Sequence, residues 1–384
     1  MIKNEKWEKV FLGEIADEII ERVDNPSQSG FEMFVGLEHF VSGDLKIKQW
    51  GSTKNLISTM KKFQKRDILF ARRNAYLKRS SMVEFDGVCS GDAFVIREKK
   101  DRLVPGFLAF MFNSESLWNY ANSYAAGTMS KRVKWRDLAN YFFKLPPLNE
   151  QKRLADLLWS VDEAIESYCN LLNKLVISRN SLLKQNYRDI QKELHAISYI
   201  AEINPRLDRK NIEKDMIVSF VTMADISEEG YIINKEDRKY SEVEKGFTPF
   251  KNGDILFAKI TPCMENGKGA IASNLTNSLG FGSTEFHVIR PKDKYDTNYL
   301  FYLTRMFHLR KKAEQLMTGS AGQKRVPSDF FDLYKFNLPE KEKRKNLGDK
   351  MIKYDYEIDH LKKNIFTTKN IQKQIINQIF GGQS

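Results

Sequence analysis

Cysteine, histidine and long apolar runs are all scarce in this chain. Its three cysteines, Cys89, Cys169 and Cys263, lie far apart in 384 residues. An odd, scattered set gives neither a disulfide framework nor zinc-ligand spacing, and it suits a reducing cytoplasm. The five histidines, His39, His195, His287, His308 and His360, also lack ligand spacing and read as surface or core residues. No apolar run is long enough to cross a bilayer, and the first residues lack a secretory apolar stretch. No membrane partner is therefore expected. A phosphate-binding loop is missing too. Asn266-Gly267-Lys268-Gly269 has neither the upstream glycine nor the following hydroxyl that such a loop needs. The prolines of Leu145-Pro146-Pro147-Leu148 lack the polar and aromatic flanks that would hold a flipped base. Asn25-Pro26-Ser27 and Asn204-Pro205-Arg206 fail the same test. No glycine-rich turn after a strand suggests an S-adenosylmethionine site. A dispersed nuclease triad is not signalled among the abundant acids and lysines.

Charge, by contrast, is plentiful and unbalanced. Sixty-two Lys and Arg against 50 Asp and Glu give a formal net charge of +12. A chain this basic is biased toward nucleic acid or another acidic surface. The plainer alternative is a solvated, lysine-rich exterior.

The strongest periodicity lies between Asn149 and Tyr187. Leu154, Leu158, Val161, Ile165, Tyr168, Leu172, Leu175 and Leu182 fall at alternating steps of four and three. This is the seam of a long helix that packs lengthwise on another. The same register returns 193 residues later at Leu347, Met351, Tyr354, Ile358, Leu361, Ile365, Thr368 and Ile375. A polar slip recurs with it, Arg179 in one seam and Gln372 in the other. The seam leaves the polarity of the pair open. Parallel pairing would set Arg179 beside Gln372, and antiparallel pairing would set it near Tyr354.

The remainder repeats as well. Lys65-Arg66-Asp67-Ile68-Leu69-Phe70-Ala71 is answered by Asn252-Gly253-Asp254-Ile255-Leu256-Phe257-Ala258. Phe94-Val95-Ile96-Arg97 is answered by His287-Val288-Ile289-Arg290, and Leu145-Pro146 by Leu338-Pro339. Each copy therefore opens with an α+β globular part, its strands expected in one mixed sheet, and exits through proline into a long helix. One helix is expected from Pro105 through Leu117. Its counterpart is expected from Tyr299 to Leu316, capped by Asp296 or Thr297. The linker into the second part is expected near His195 to Tyr199.

Basic, glycine-bearing loops carry the strongest binding signal. Gly127-Thr128-Met129-Ser130-Lys131-Arg132-Val133 is matched by Gly319-Ser320-Ala321-Gly322-Gln323-Lys324-Arg325-Val326. Glycine admits close approach of backbone to phosphate, and hydroxyl, Gln, Lys and Arg bond phosphates or base edges. The candidates in the first copy are Arg72, Arg73, Lys78, Arg79, Thr128, Ser130, Lys131 and Arg132. Those in the second are Lys259, Thr261, Lys268, Ser320, Gln323, Lys324 and Arg325. The competing reading is an ordinary exposed loop with structural glycines.

This ordered set of blocks resembles the DNA-specificity subunits of type I restriction-modification systems. The Leu145-to-Arg153 run Leu-Pro-Pro-Leu-Asn-Glu-Gln-Lys-Arg and the duplicated helices carry the resemblance with the loops. The second copy departs at Leu338-Pro339-Glu340-Lys341-Glu342-Lys343. The resemblance implies two α+β target-recognition domains, residues 1–148 and 197–339, each reading half of a bipartite double-stranded DNA site. It implies that helices within 149–196 and 340–384 pair as an antiparallel coiled coil. They would set the spacing and dock two methyltransferase (modification) subunits, and restriction/translocase subunits would join. No cofactor is expected on this chain, because S-adenosylmethionine would sit on the partners. A seam from Leu154 to Asn186 is ~48 Å long at about 1.5 Å per residue, enough for half-sites ~34 Å apart. The rival functions are a stand-alone DNA-binding or scaffolding protein and a DNA-modifying enzyme.

Overall fold

A computed structural model describes residues 7–99, 101–127, 130–187, 194–320 and 322–381. Two compact units emerge, one of Met1–Leu171 with Leu361–Ser384, the other of Leu172–His360. Each unit thus holds one globular part and a stretch of each long helix.

In the first unit, Ile68–Ala71 is buried at all four positions. Side chains alternate along a strand, so Ile68 and Phe70 enter one core while Leu69 enters another. A strand buried on both faces reads as a continuous apolar run, which explains the motif. It pairs antiparallel with Ala93–Glu98 in a four-stranded sheet completed by Ala16–Ile19 and Ser80–Met82. A five-stranded sheet lies beside it, its strands in the spatial order Arg22–Val23, Met60–Phe63, Gly87–Cys89, Met33–Val35, Gly51–Ser52, with one parallel pair. Glu8–Phe11 and Phe142–Leu145 form a two-stranded ribbon. The expected single sheet is therefore wrong. One sheet would leave Leu69 and Val95 facing water, and the second core covers them.

The second unit repeats this plan. Ile255 and Phe257 enter one core and Leu256 the other. Its four-stranded sheets run Ala201–Ile203, Phe286–Pro291, Ile255–Ala258, Gly269–Ile271 and Glu236–Lys239, Ile217–Val221, Leu279–Gly282, Thr248–Lys251. The segment expected as a linker is ordered instead. Leu194–Ala196 pairs with Lys335–Asn337, and Ile197–Ile200 is helical.

Both expected single helices are split. Leu108–Met111 is followed by Glu115–Tyr124, where Ser114 Oγ accepts from the Leu117 N–H and starts a new helix. Thr297–Thr304 and Phe307–Gln315 are likewise separate. Asp296 does not cap with its side chain, which is taken up by Arg344 at 2.7 and 2.9 Å.

The long helices are Leu148–Tyr187 and Lys341–Phe380, 40 residues each. The central one starts where Gln151, almost fully buried, donates to the Pro146 and Arg102 carbonyls and accepts from the Val104 N–H. Arg344 occupies the matching place in the distal helix and donates to the Pro339 carbonyl at 2.7 Å. A motif lost in sequence is thus retained as a physical role. Within the first unit, Leu154 and Leu158 pack with Ile376, Ile379 and Phe380. Gln372 lies beside Asp162 further along, so the segments run antiparallel. Within the second unit, Leu182 and Leu183 lie against the core of Leu347 and Met351, and Arg179 pairs with Asp355. That order is antiparallel too, with Arg179 one residue from the expected Tyr354.

Candidate nucleic-acid interface

The site rests on a buried ionic clasp. Asp67, directly before the strand Ile68–Ala71, accepts from the Gln64 N–H at 2.7 Å and takes a two-point bond from Arg97 at 2.7 Å. Asp254 repeats it, accepting from the Lys251 N–H and from Arg290 at 2.7–2.8 Å. The clasp fixes the strand whose end delivers Arg72 in one copy and Lys259 in the other.

The glycine loop is stitched to that strand end by the same bonds in both domains. Asn74 N–H donates to the Lys131 carbonyl and Val133 N–H to the Arg72 carbonyl, both at 2.9 Å. Thr261 N–H donates to the Lys324 carbonyl at 3.0 Å and Val326 N–H to the Lys259 carbonyl at 2.9 Å. Gly127 and Gly319 turn the loop with φ of 130° and 122°. A Cβ there would come within 3.1 Å of the Ser130 carbonyl oxygen or 2.9 Å of the Gln323 one, in a backbone region that disfavours side chains.

Most candidate cations prove to be engaged by the fold. Arg132 bonds Asp92 at 3.0 and 3.4 Å and holds that carboxyl below its ordinary range. Arg325 does the same to Glu285, at 2.9–3.2 Å, and donates to the Gln323 carbonyl. Arg72 also leans on Asp92, at 3.8 Å, and lies over the Phe94 ring. Arg73 donates to Ser130 Oγ at 2.7 Å. Lys78 is held by Glu115. Arg79 donates to the Leu37 and Arg73 carbonyls, and burial pulls its guanidinium below the usual range. In the second domain Lys268 donates to the Met223 carbonyl at 3.0 Å, and Thr261 Oγ1 to Glu265 at 2.6 Å. Lys131, Lys324, Gln323 and Ser320 are exposed, and among the described residues the ammonium groups of Lys131 and Lys324 have no anionic partner. Thr128 lies outside the described residues.

Beside each loop is a cleft at the corresponding place in the two domains. The first, about 550 Å³, is charged, with Glu18, Arg22, Lys61, Arg72 and Asp92 on its walls. The second, about 230 Å³, is lined by Phe247, Thr248, Pro249, Lys259 and Phe286. Sequence reading missed Asp92 and Glu285, the carboxylates that seat the loops. The signal was there, since both precede the strand blocks at the same 193-residue offset. Among the described residues no group of three His, Cys, Asp or Glu could hold a metal ion, and no helix is long and apolar enough to cross a membrane.

Comparison with known proteins places these features in context. A family model described as the type I restriction modification DNA specificity domain matches residues 4–175 and again 192–375. The specificity subunit of the Escherichia coli type I restriction enzyme EcoAI is 34% identical over 236 residues. That of EcoEI, also from Escherichia coli, is 32% identical over 234 residues. Each alignment takes in 56% of this chain, which spans about 40% of the length of these relatives. The S subunit of a type I restriction-modification system from M. genitalium matches the fold with a TM-score of 0.62 at 13% identity, covering 100% of this chain and 99% of that one. A chain from a type I R-M system studied for complex assembly and conformational transition matches at 0.53 and 19%, covering 98% of each.

Proposed function

The chain belongs to the type I restriction-modification DNA specificity domain family, and from that premise we propose that it is the non-catalytic, sequence-reading subunit of such a complex. Each globular part reads one half of a bipartite duplex site. The paired helices set the spacing and dock two methyltransferase subunits, which carry S-adenosylmethionine, and restriction/translocase subunits complete the assembly in the cytoplasm. The observation that carries this reading is the duplicated loop. Lys131 and Lys324, with Gln323, project to solvent from two equivalent, internally braced frames. Braced backbone with solvent-facing cations is what phosphate contact needs, and base contacts then add sequence preference.

Methylome sequencing of cells with and without the chain tests this. Loss of one bipartite methylated motif with the chain is the expected result. Replacing residues 1 to about 147 by the equivalent part of a relative should rewrite one half of that motif and keep the other. An unchanged methylome on removal, or a change in both halves together, would refute independent half-site reading.

A further inference from the structure

Two large apolar side chains stand exposed beside the first domain's basic loop. Tyr76 is 65% exposed and Leu77 40%. They occupy a 3-10 turn, Ala75–Leu77, flanked by Asn74 and Lys78, both left-handed at φ 56° and 49°. Such a turn is held, not floppy. Ala75 is buried beneath it, Leu77 N–H donates to the Asn74 carbonyl at 3.0 Å, and Asn74 N–H donates to the Lys131 carbonyl at 2.9 Å. Lys78 is pinned by Glu115, and Arg79 is turned back onto the Arg73 carbonyl. Of six cations in the two adjoining segments, Arg72, Arg73 and Arg132 share Asp92, Lys78 shares Glu115 with Lys373, and Arg79 and Lys131 add charge without pairing to either carboxylate. An apolar point framed by excess positive charge is complementary to a polyanion with apolar faces in its interior.

We infer that Tyr76 and Leu77 form a wedge that enters the base stack of the half-site read by the first domain, at a flexible pyrimidine–purine step. This rests on the DNA-reading role proposed above. Apolar side chains at a rigid tip unstack a step, and flexible steps yield most readily. Among the described residues, the corresponding loop of the second domain has no such device. Its corresponding loop buries Met264 and exposes Glu265, a carboxylate that the polyanion repels. The two half-sites are therefore read unequally, one with local unstacking and one without.

The test uses the full chain with its modification subunits and duplexes of the motif found by methylome sequencing. 2-Aminopurine is placed at successive steps of both half-sites, away from the methylated bases. Fluorescence should rise on binding at one step of the first domain's half-site and at none of the second's. Tyr76→Ala with Leu77→Ala should abolish the rise and weaken binding about tenfold, whereas Tyr76→Phe should preserve both. Both positions are exposed, so thermal unfolding should not move. Specific binding without any rise in that half-site, or an undiminished rise in the double variant, overturns the wedge and leaves DNA reading intact. A double variant that loses its modification subunits but keeps its DNA affinity and fluorescence overturns it in favour of a protein contact. Failure of the wild-type complex to prefer its motif overturns the DNA-reading role and the wedge with it.

Discussion

The two recognition domains agree inside and differ outside. Asp67 with Arg97 and Asp254 with Arg290 are the same clasp. Arg132 with Asp92 and Arg325 with Glu285 are the same brace. Toward solvent the likeness narrows to Lys131 and Lys324. Tyr76 and Leu77 have Cys263 and the buried Met264 as their counterparts, and a charged cleft is matched by one with phenylalanine and proline on its walls. Residues recur where they support the frame and diverge at the exposed surface beside it. Recurrence of Lys-Arg-Val marks the loop, and within it the arginine is the member that pairs with a carboxylate of the frame. The arginine is spoken for by the frame.

The sharpest way to break this comparison is to remove the clasp. Asp67 and Asp254 are about 1% exposed, and each satisfies a backbone N–H besides its arginine. Asp67→Ala or Asp254→Ala should cost about 3 kcal/mol, the low end for a broken buried pair, because the arginines remain partly exposed. The effect should be equal in the two domains, read by denaturant unfolding of the full chain, with the damaged domain located by hydrogen exchange. A domain that tolerates the change would show that the clasps are alike in geometry only.

A smaller effect separates the two halves of each Lys-Arg pair. Lys131→Ala and Lys324→Ala should each shallow the slope of log affinity on log salt by about one and leave sequence preference alone. Arg132→Ala and Arg325→Ala should instead loosen the loop and blur preference in their own half-site, since the carboxylate loses its partner. Filter binding or anisotropy across a salt series on the assembled complex distinguishes these. If arginine and lysine variants behaved alike, the division into frame and contact would fail.

Much of this was legible in the sequence because it depends on period and repetition. Seam residues such as Leu158, Ile165, Met351 and Leu361 are buried as their spacing required, and helix packing follows from spacing alone. What stayed hidden depends on pairing across distant segments. That Arg132 meets Asp92 turns on a separation of 40 residues folding back. The second sheet was hidden for a similar reason. A run of four apolar residues does not say that both its faces are covered. In the distal helix, Arg344 replaced Gln151 with different chemistry in the same role, and no matching of letters would have found it.

The smallest expected difference concerns acid. His287 stands where the first domain has Phe94, on the strand behind the loop. Its Nε2 donates to the Val326 carbonyl at 2.8 Å, and its Nδ1 accepts from the Asn204 amide at 3.0 Å. That amide is oriented by its other end, which accepts from the Val288 N–H. Both ring nitrogens are satisfied in the neutral form. Burial, the largest cause, pulls the His287 pKa below 6.5; Lys259 adds to this, while the Val326 carbonyl and Glu285 oppose it. The unfolded chain therefore binds this proton first as pH falls. Stability from neutral His287 is complete above about 6.5 and is lost as pH drops toward the lower folded value. His308, in the same domain and also lowered by burial, adds in the same direction. The carboxylates Asp92 and Glu285 sit below their ordinary range and weaken only in stronger acid, in both domains. Hydrogen exchange on the full chain should thus show the second domain opening more readily at pH 5.5 than at pH 7, with the first little changed. His287→Gln, which offers a donor and an acceptor without titrating in this range, should remove part of that difference, leaving the share due to His308. Equal softening of both domains would mean that the histidine-for-phenylalanine exchange is silent, and that the frames match even here.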